Sequence, residues 1–172
     1  IEQREAINTK AALDFLVDEL MKDDFRMTPE LILATHLRAM NGIISGAGNF
    51  RNHGVRISGS RVAVANYLSI PKYIQQFCKD YNSEPEDKIR LLAKTHADFE
   101  WIHPFSDGNG RTGRLLLFML ALKLHLVPPI LPKERRFAYY KYLERAQMSG
   151  ETELLEWYLA ECVMETGEKI SG

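Results

Sequence analysis

His103 to Arg114 reads HPFSDGNGRTGR, and the rest of the chain is best read outward from it. Twelve residues hold an imidazole, a carboxylate, three glycines and two guanidinium groups. Upstream, Ile89, Leu92, Ala93, His96, Phe99 and Glu100 recur at helical spacing, which predicts a long helix over 84–102 running directly into His103. Downstream, Arg111 to Leu126 is apolar nearly all round, the mark of a helix buried on every side, and Val127-Pro128-Pro129 ends it. The stretch is therefore a loop joining two helices.

Gly108-Asn109-Gly110-Arg111-Thr112-Gly113 matches G-x-G-x-x-G. A dinucleotide site needs a strand before that motif and an acid about twenty residues later on a second strand. Here a helix precedes it, and the later residues, Lys133 and Glu134, follow a proline cluster. A Walker A loop is excluded because no Gly-Lys-Ser/Thr follows. What survives is a nest: glycines let successive backbone N–H groups converge, and the next helix adds its positive N-terminal end, so the loop suits a phosphate. Arg111 and Arg114 lie three apart, on one face of the first turn, where two forked guanidiniums can grip phosphate oxygens. Asp107 is a hard oxygen ligand for Mg²⁺, which commonly takes one carboxylate and fills its shell with phosphate and water. His103 is the candidate general base. Read alone, these residues have plainer roles: Asp107 as a helix cap, His103 as a structural histidine, Phe105 as a core anchor.

Elsewhere the chain is mostly helical. Ala6 to Met21 has a helical stripe with Asn8 and Thr9 as candidate caps; Thr28-Pro29 starts a helix over 31–41; 69–81, 132–148 and 151–165 complete the set. Four glycines make 42–54 a loop. Val55-Arg56-Ile57 and Arg61-Val62-Ala63-Val64 flank Ser58-Gly59-Ser60, predicting one small β-hairpin. The fold class is all-α, a helical bundle with that single hairpin.

Every defined position of His-Pro-Phe-x-Asp-Gly-Asn-Gly-Arg-x-x-Arg is filled between His103 and Arg114, and in this the chain resembles the Fic family of protein adenylyltransferases. The order of helices, glycine loop, hairpin and motif is also similar to a Fic domain. The resemblance implies transfer of AMP from ATP to a Ser, Thr or Tyr hydroxyl of a target protein, with release of pyrophosphate. It assigns His103 as the catalytic base, Asp107 as the Mg²⁺ ligand, and Gly108, Asn109, Gly110, Arg111, Thr112, Gly113 and Arg114 to the bound nucleotide. The hairpin, 55–64, resembles a flap that covers the nucleotide through Ser58, Gly59 and Ser60 and docks the target as an added strand. Tyr139 and Tyr140 look like the paired tyrosines near the adenine; on a helix, adjacent residues diverge by about 100°, so one stacks and the other packs inward. Gln147 falls where many members carry Asn. Residues 1–8 resemble the remnant of an N-terminal inhibitory helix region whose Glu2 pairs with Arg114, leaving 9–172 as one Fic domain. Removal of AMP, use of another phosphate donor, and a catalytically silent module that binds nucleotide and peptide are the competing readings.

Composition narrows the partners. A net charge of −1 with no basic block beyond Lys133-Glu134-Arg135-Arg136 gives no footprint for nucleic acid. The longest apolar run, Leu115 to Leu122, falls well short of the ~20 residues needed to cross a bilayer. Two separated cysteines, Cys78 and Cys162, and no visible secretory signal set the expectation of a cytoplasmic protein. Opening on Ile rather than Met, the chain reads as a trimmed fragment; its oligomeric state is left open, a homodimer included.

Overall fold

The structure, a computed structural model, describes residues 2–172. Its helices are α1 (Glu2–Leu20), α2 (Pro29–Ala39), α3 (Ile70–Tyr81), α4 (Lys88–Ile102), α5 (Asn109–Lys123), α6 (Arg136–Ser149) and α7 (Glu153–Ser171), with single 3₁₀ turns before α3 and α6. The all-α expectation holds: among the described residues there is no β-strand. α4 is the axis of the bundle. It packs against α3, α5, α6 and α7, while α1 pairs with α2 and α5.

Side-chain caps fix the starts of α2 and α4. Thr28 caps α2, its hydroxyl accepting from Leu31 N at 3.2 Å, and Pro29 occupies the first turn, where a missing N–H costs nothing. Asp87 caps α4 by accepting from Arg90 N at 3.0 Å, so this helix starts at Lys88 rather than at residue 84. α5 is enclosed as its composition requires, with Leu115, Leu116, Leu117, Met119, Leu120 and Ala121 all buried. Tyr81, buried on α3, donates its hydroxyl to Leu116 O at 2.9 Å and so anchors α3 to that helix.

Two expectations are corrected. Asn8 and Thr9 are not caps: α1 runs unbroken from Glu2, and the Asn8 amide donates to Asn41 O at 2.8 Å and Ala39 O at 3.4 Å, tying α1 to the end of α2. Thr9 returns its hydroxyl to Glu5 O within the helix. The hairpin strands are also absent. The turn is made, with Ser60 N donating to Ile57 O at 3.2 Å around Gly59 at φ +76°. No ladder extends from it, because the second arm is spent on α4: Ala65 N donates to Trp101 O and Trp101 Nε1 to Ala63 O, at 3.2 and 3.0 Å. An isolated two-stranded ribbon gains too little to compete with those anchors.

Asn82, at the end of α3, closes the bundle by accepting from Met27 N and donating to Met27 O, both at 2.9 Å. Asn82→Ala leaves both backbone groups without a partner and should destabilise the fold by about 1–3 kcal/mol, read by urea denaturation.

Candidate active site

The loop between α4 and α5 is braced from inside. The Asn109 side chain accepts from Phe105 N at 2.9 Å and donates to Phe105 O at 2.8 Å, closing the loop on itself. The Phe105 ring, fully buried, stacks on His36 of α2 with centroids 3.6 Å apart and planes 1° from parallel. His36 in turn donates from Nε2 to Asp107 O and accepts Gly48 N at Nδ1, both at 2.9 Å. Burial holds its pKa below the ordinary value, which keeps the ring neutral and suits one donor and one acceptor. His36 thus fixes the loop from 71 residues away in sequence.

His103 ends α4 in the left-handed region, φ 48° and ψ 58°, at the start of the loop. Its Nδ1 lies 3.1 Å from Glu100 O. A carbonyl only accepts, so Nδ1 carries the proton and Nε2 keeps a free lone pair. Burial lowers the His103 pKa; the Glu100 bond opposes that shift, Arg51 reinforces it, and Asp107 opposes it. A half-buried imidazole, neutral at physiological pH with its basic nitrogen fixed, is equipped to accept a proton.

α5 opens at Gly108, φ +80°, where an added Cβ would sit 2.6 Å from the Met40 sulfur. The amides of Asn109, Gly110 and Arg111 precede the first intrahelical bond, Thr112 N to Gly108 O at 3.0 Å, and have no partner within the helix. Arg114 lies exposed and folds back over Gly110, its Nη1 3.2 Å from where a Cβ there would be. Arg111 is held by Glu5 and Met40, Nη2 donating to Glu5 Oε1 at 2.6 Å and Nη1 directed at the Met40 sulfur at 3.1 Å. Three amides and two guanidiniums therefore surround the mouth of α5. Thr112 and Gly113 point away from it: both are buried, and a Cβ on Gly113 would meet Glu100 Oε1 at 2.2 Å. Asp107 is exposed, with Oδ1 accepting Gly108 N at 2.6 Å.

A cavity of about 340 Å³ adjoins this mouth, lined by Arg114, Leu131, Lys133, Arg136, Tyr139 and Tyr140 among others. The two tyrosines divide as helical geometry requires. Tyr140 is exposed; Tyr139 is buried, its hydroxyl 2.8 Å from His96 Nε2. Gln147 lies farther along α6, half-buried, outside that lining. Ser58 and Gly59 are exposed at the tip of the turn, and the Ser60 hydroxyl accepts Val62 N at 3.1 Å. Glu2 is exposed at the start of α1, and the carboxylate from that helix that reaches a motif arginine is Glu5, on Arg111 rather than Arg114. Ile1, which precedes Glu2 in the expected inhibitory region, lies outside the described residues.

Residues 26–121 match the Fic/DOC family model, and the chain belongs to that family. It is 31% identical over 169 residues to "Protein adenylyltransferase Fic" of Aedes aegypti and 32% identical over 171 residues to its namesake in Culex quinquefasciatus. Each alignment covers 96% of this chain and 33% of the relative, so the chain spans a third of the length of these curated relatives. Fic-1 of C. elegans superposes with a TM-score of 0.87 at 29% identity, covering 99% of this chain and 51% of that one. BepC of Bartonella tribocorum, solved with bound AMPPNP, shares the fold with a TM-score of 0.74 at 17% identity.

Behind the mouth, Glu100 is buried with Oε1 unpartnered, and burial pushes its pKa up to about 7 against the weaker pull of Arg114. A carboxyl whose folded pKa exceeds its unfolded value of 4.5 costs stability as pH rises through that interval. Glu100→Gln should therefore melt higher than the wild type at pH 8, with the difference vanishing below pH ~4.5 in thermal denaturation.

Proposed function

We propose that this chain transfers AMP from ATP to a Ser, Thr or Tyr hydroxyl of a target protein. The observation that carries the reading is the free lone pair of His103 Nε2, held at the end of α4 beside the amide-lined, two-arginine mouth of α5. The adenylyltransferase names of the relatives support it.

In the reaction, Nε2 takes the proton of the target hydroxyl while that oxygen bonds to the α-phosphorus. The bond from phosphorus to the α–β bridging oxygen breaks, and pyrophosphate leaves with the electron pair. The amides of Asn109, Gly110 and Arg111, with the Arg111 and Arg114 guanidiniums, hold the phosphate oxygens and offset their charge. Arg111 is engaged by Glu5, so a phosphate at the mouth would compete with that carboxylate for it. The cavity beside Tyr139 and Tyr140 takes the base, with Tyr140 offering an exposed ring face and Tyr139 as its backing.

Asp107 is the group that would hold Mg²⁺. Among the described residues no cluster of three or more His, Cys, Asp or Glu side chains could bind a metal by itself, and a single exposed carboxylate with one oxygen spare fits an ion that draws its other ligands from phosphate and water. When bound, such an ion supplies neutralising charge on the phosphates. The target docks along 55–64 by backbone pairing, which aligns a hydroxyl with little demand on its neighbours' side chains. A flap ordered by its partner accords with arms that do not pair with each other.

Incubation with α-labelled ATP and Mg²⁺ tests the reading. Label should appear on protein; release of label from pre-modified protein instead would assign the reverse reaction, and neither outcome would assign a silent module. His103→Ala should lower transfer by about 10²–10⁴-fold while ATP-analogue binding persists. Because the His103 pKa lies below the ordinary 6.5 and the neutral form is the base, the wild-type rate should hold level down to that pH and fall only on its acid side. An acid limb above 6.5 in the pH–rate profile would contradict the assignment.

A further inference from the structure

Arg51 is buried, 4% exposed, and its side-chain partners are all backbone carbonyls. Nε donates to His103 O at 2.7 Å, Nη1 to His53 O at 2.8 Å, and Nη2 to Ala65 O at 2.6 Å and Ile102 O at 3.3 Å. The Arg51 backbone N–H donates to Pro104 O at 2.9 Å. One residue thus holds three successive carbonyls, of Ile102, His103 and Pro104, where α4 turns into the motif loop. The same guanidinium holds both roots of the 55–64 turn, one at His53 and the other at Ala65.

We propose that Arg51 is the positioning residue of the site, fixing the backbone that aims His103 and locking the roots of the target-docking turn to it in one register. The inference rests on the function proposed above. A non-glycine residue in the left-handed region costs about 1–3 kcal/mol and persists only where its surroundings over-determine it. For His103 that constraint comes from Arg51 on the carbonyl side and from the helical bond of its own N–H to Phe99 O at 2.9 Å. No other side chain could make the set. Lysine has one nitrogen and glutamine one donor group, whereas a guanidinium donates in a rigid fork in several directions. Burying this cation without a carboxylate partner carries a desolvation cost that a neutral filler would avoid. The charge has a use at this place, since it stands beside the base and disfavours its protonation, against Asp107 of the motif loop. Base and turn therefore move together or not at all: a target strand laid along 55–64 is registered against the backbone that presents Nε2.

The test uses Arg51→Lys and Arg51→Gln in the 172-residue chain, with three measurements. These are AMP transfer kinetics, thermal melting, and the ¹⁵N signals of the His103 imidazole recorded without nucleotide. Both variants should lose at least about tenfold in kcat, the cost of a slightly misplaced base, while KM for ATP stays within about twofold. The imidazole signals should move from a single Nδ1–H tautomer toward a mixture. Wild-type kcat with unmoved signals would overturn the proposal. So would a loss confined to KM for ATP, and loss of the cooperative melt in both variants would assign Arg51 to the stability of the fold instead. If the wild-type chain transfers no AMP, the proposed function falls, and the imidazole signals still decide whether Arg51 positions His103.

Discussion

The hydrogen-bonded clasp between the Asn109 side chain and the backbone of Phe105 is the constraint on which the site depends. It spends both polar atoms of one amide to close a turn of the loop, and it does so at 2% exposure, where neither bond competes with water. With the clasp shut, Phe105 is driven into the core against His36, and the amides of α5 can face outward only as a group. An anion site built of backbone N–H groups has no side chains to adjust, so its precision is set by the loop that presents it. The residue that looks polar enough to bind a ligand is thus the one that shapes the proposed anion site.

A second layer of polar side chains joins this loop to distant parts of the chain. His36 ties Asp107 to Gly48, Arg51 ties His103 to the 53–65 segment, and Glu5 ties the start of α1 to Arg111. Each contact is made to the motif from an element that precedes it in sequence. The bundle therefore does more than bury apolar area: α1, α2 and the loop after α2 converge on the motif between the end of α4 and the first turn of α5, and a polar side chain from each is what meets it.

Much of this was legible in the chain itself. The motif loop declared its position through glycines set between two helical periods, the Thr28-Pro29 start through cap chemistry, and the divergence of Tyr139 from Tyr140 through helical geometry alone. What stayed hidden depends on contacts across the fold. His36 and Arg51 act over separations of 71 and 52 residues and leave no local pattern; a histidine on an apolar helix face and an arginine in a glycine-rich loop look ordinary. Asn8 carries the signature of a cap, yet a tertiary bond to Asn41 outweighs it. Two acids share the first turn of α1, and spacing could not say that Glu5, not Glu2, reaches an arginine. The turn at Ser58-Gly59-Ser60 forms as the sequence predicts, but the β-prone arms beside it form no strands, and propensity could not reveal that the second arm would be claimed by Trp101.

That unladdered segment has a kinetic side. A target strand paired along it, as proposed, would have to bend residues without strand geometry into line, and that cost would be set against the strength of the encounter. If a target docks there as proposed, main-chain pairing of modest net strength on a segment whose second arm is already held by Trp101 would favour short residence times. Under the proposed function, such a surface would release what it had held, the property wanted where one molecule must handle many in succession.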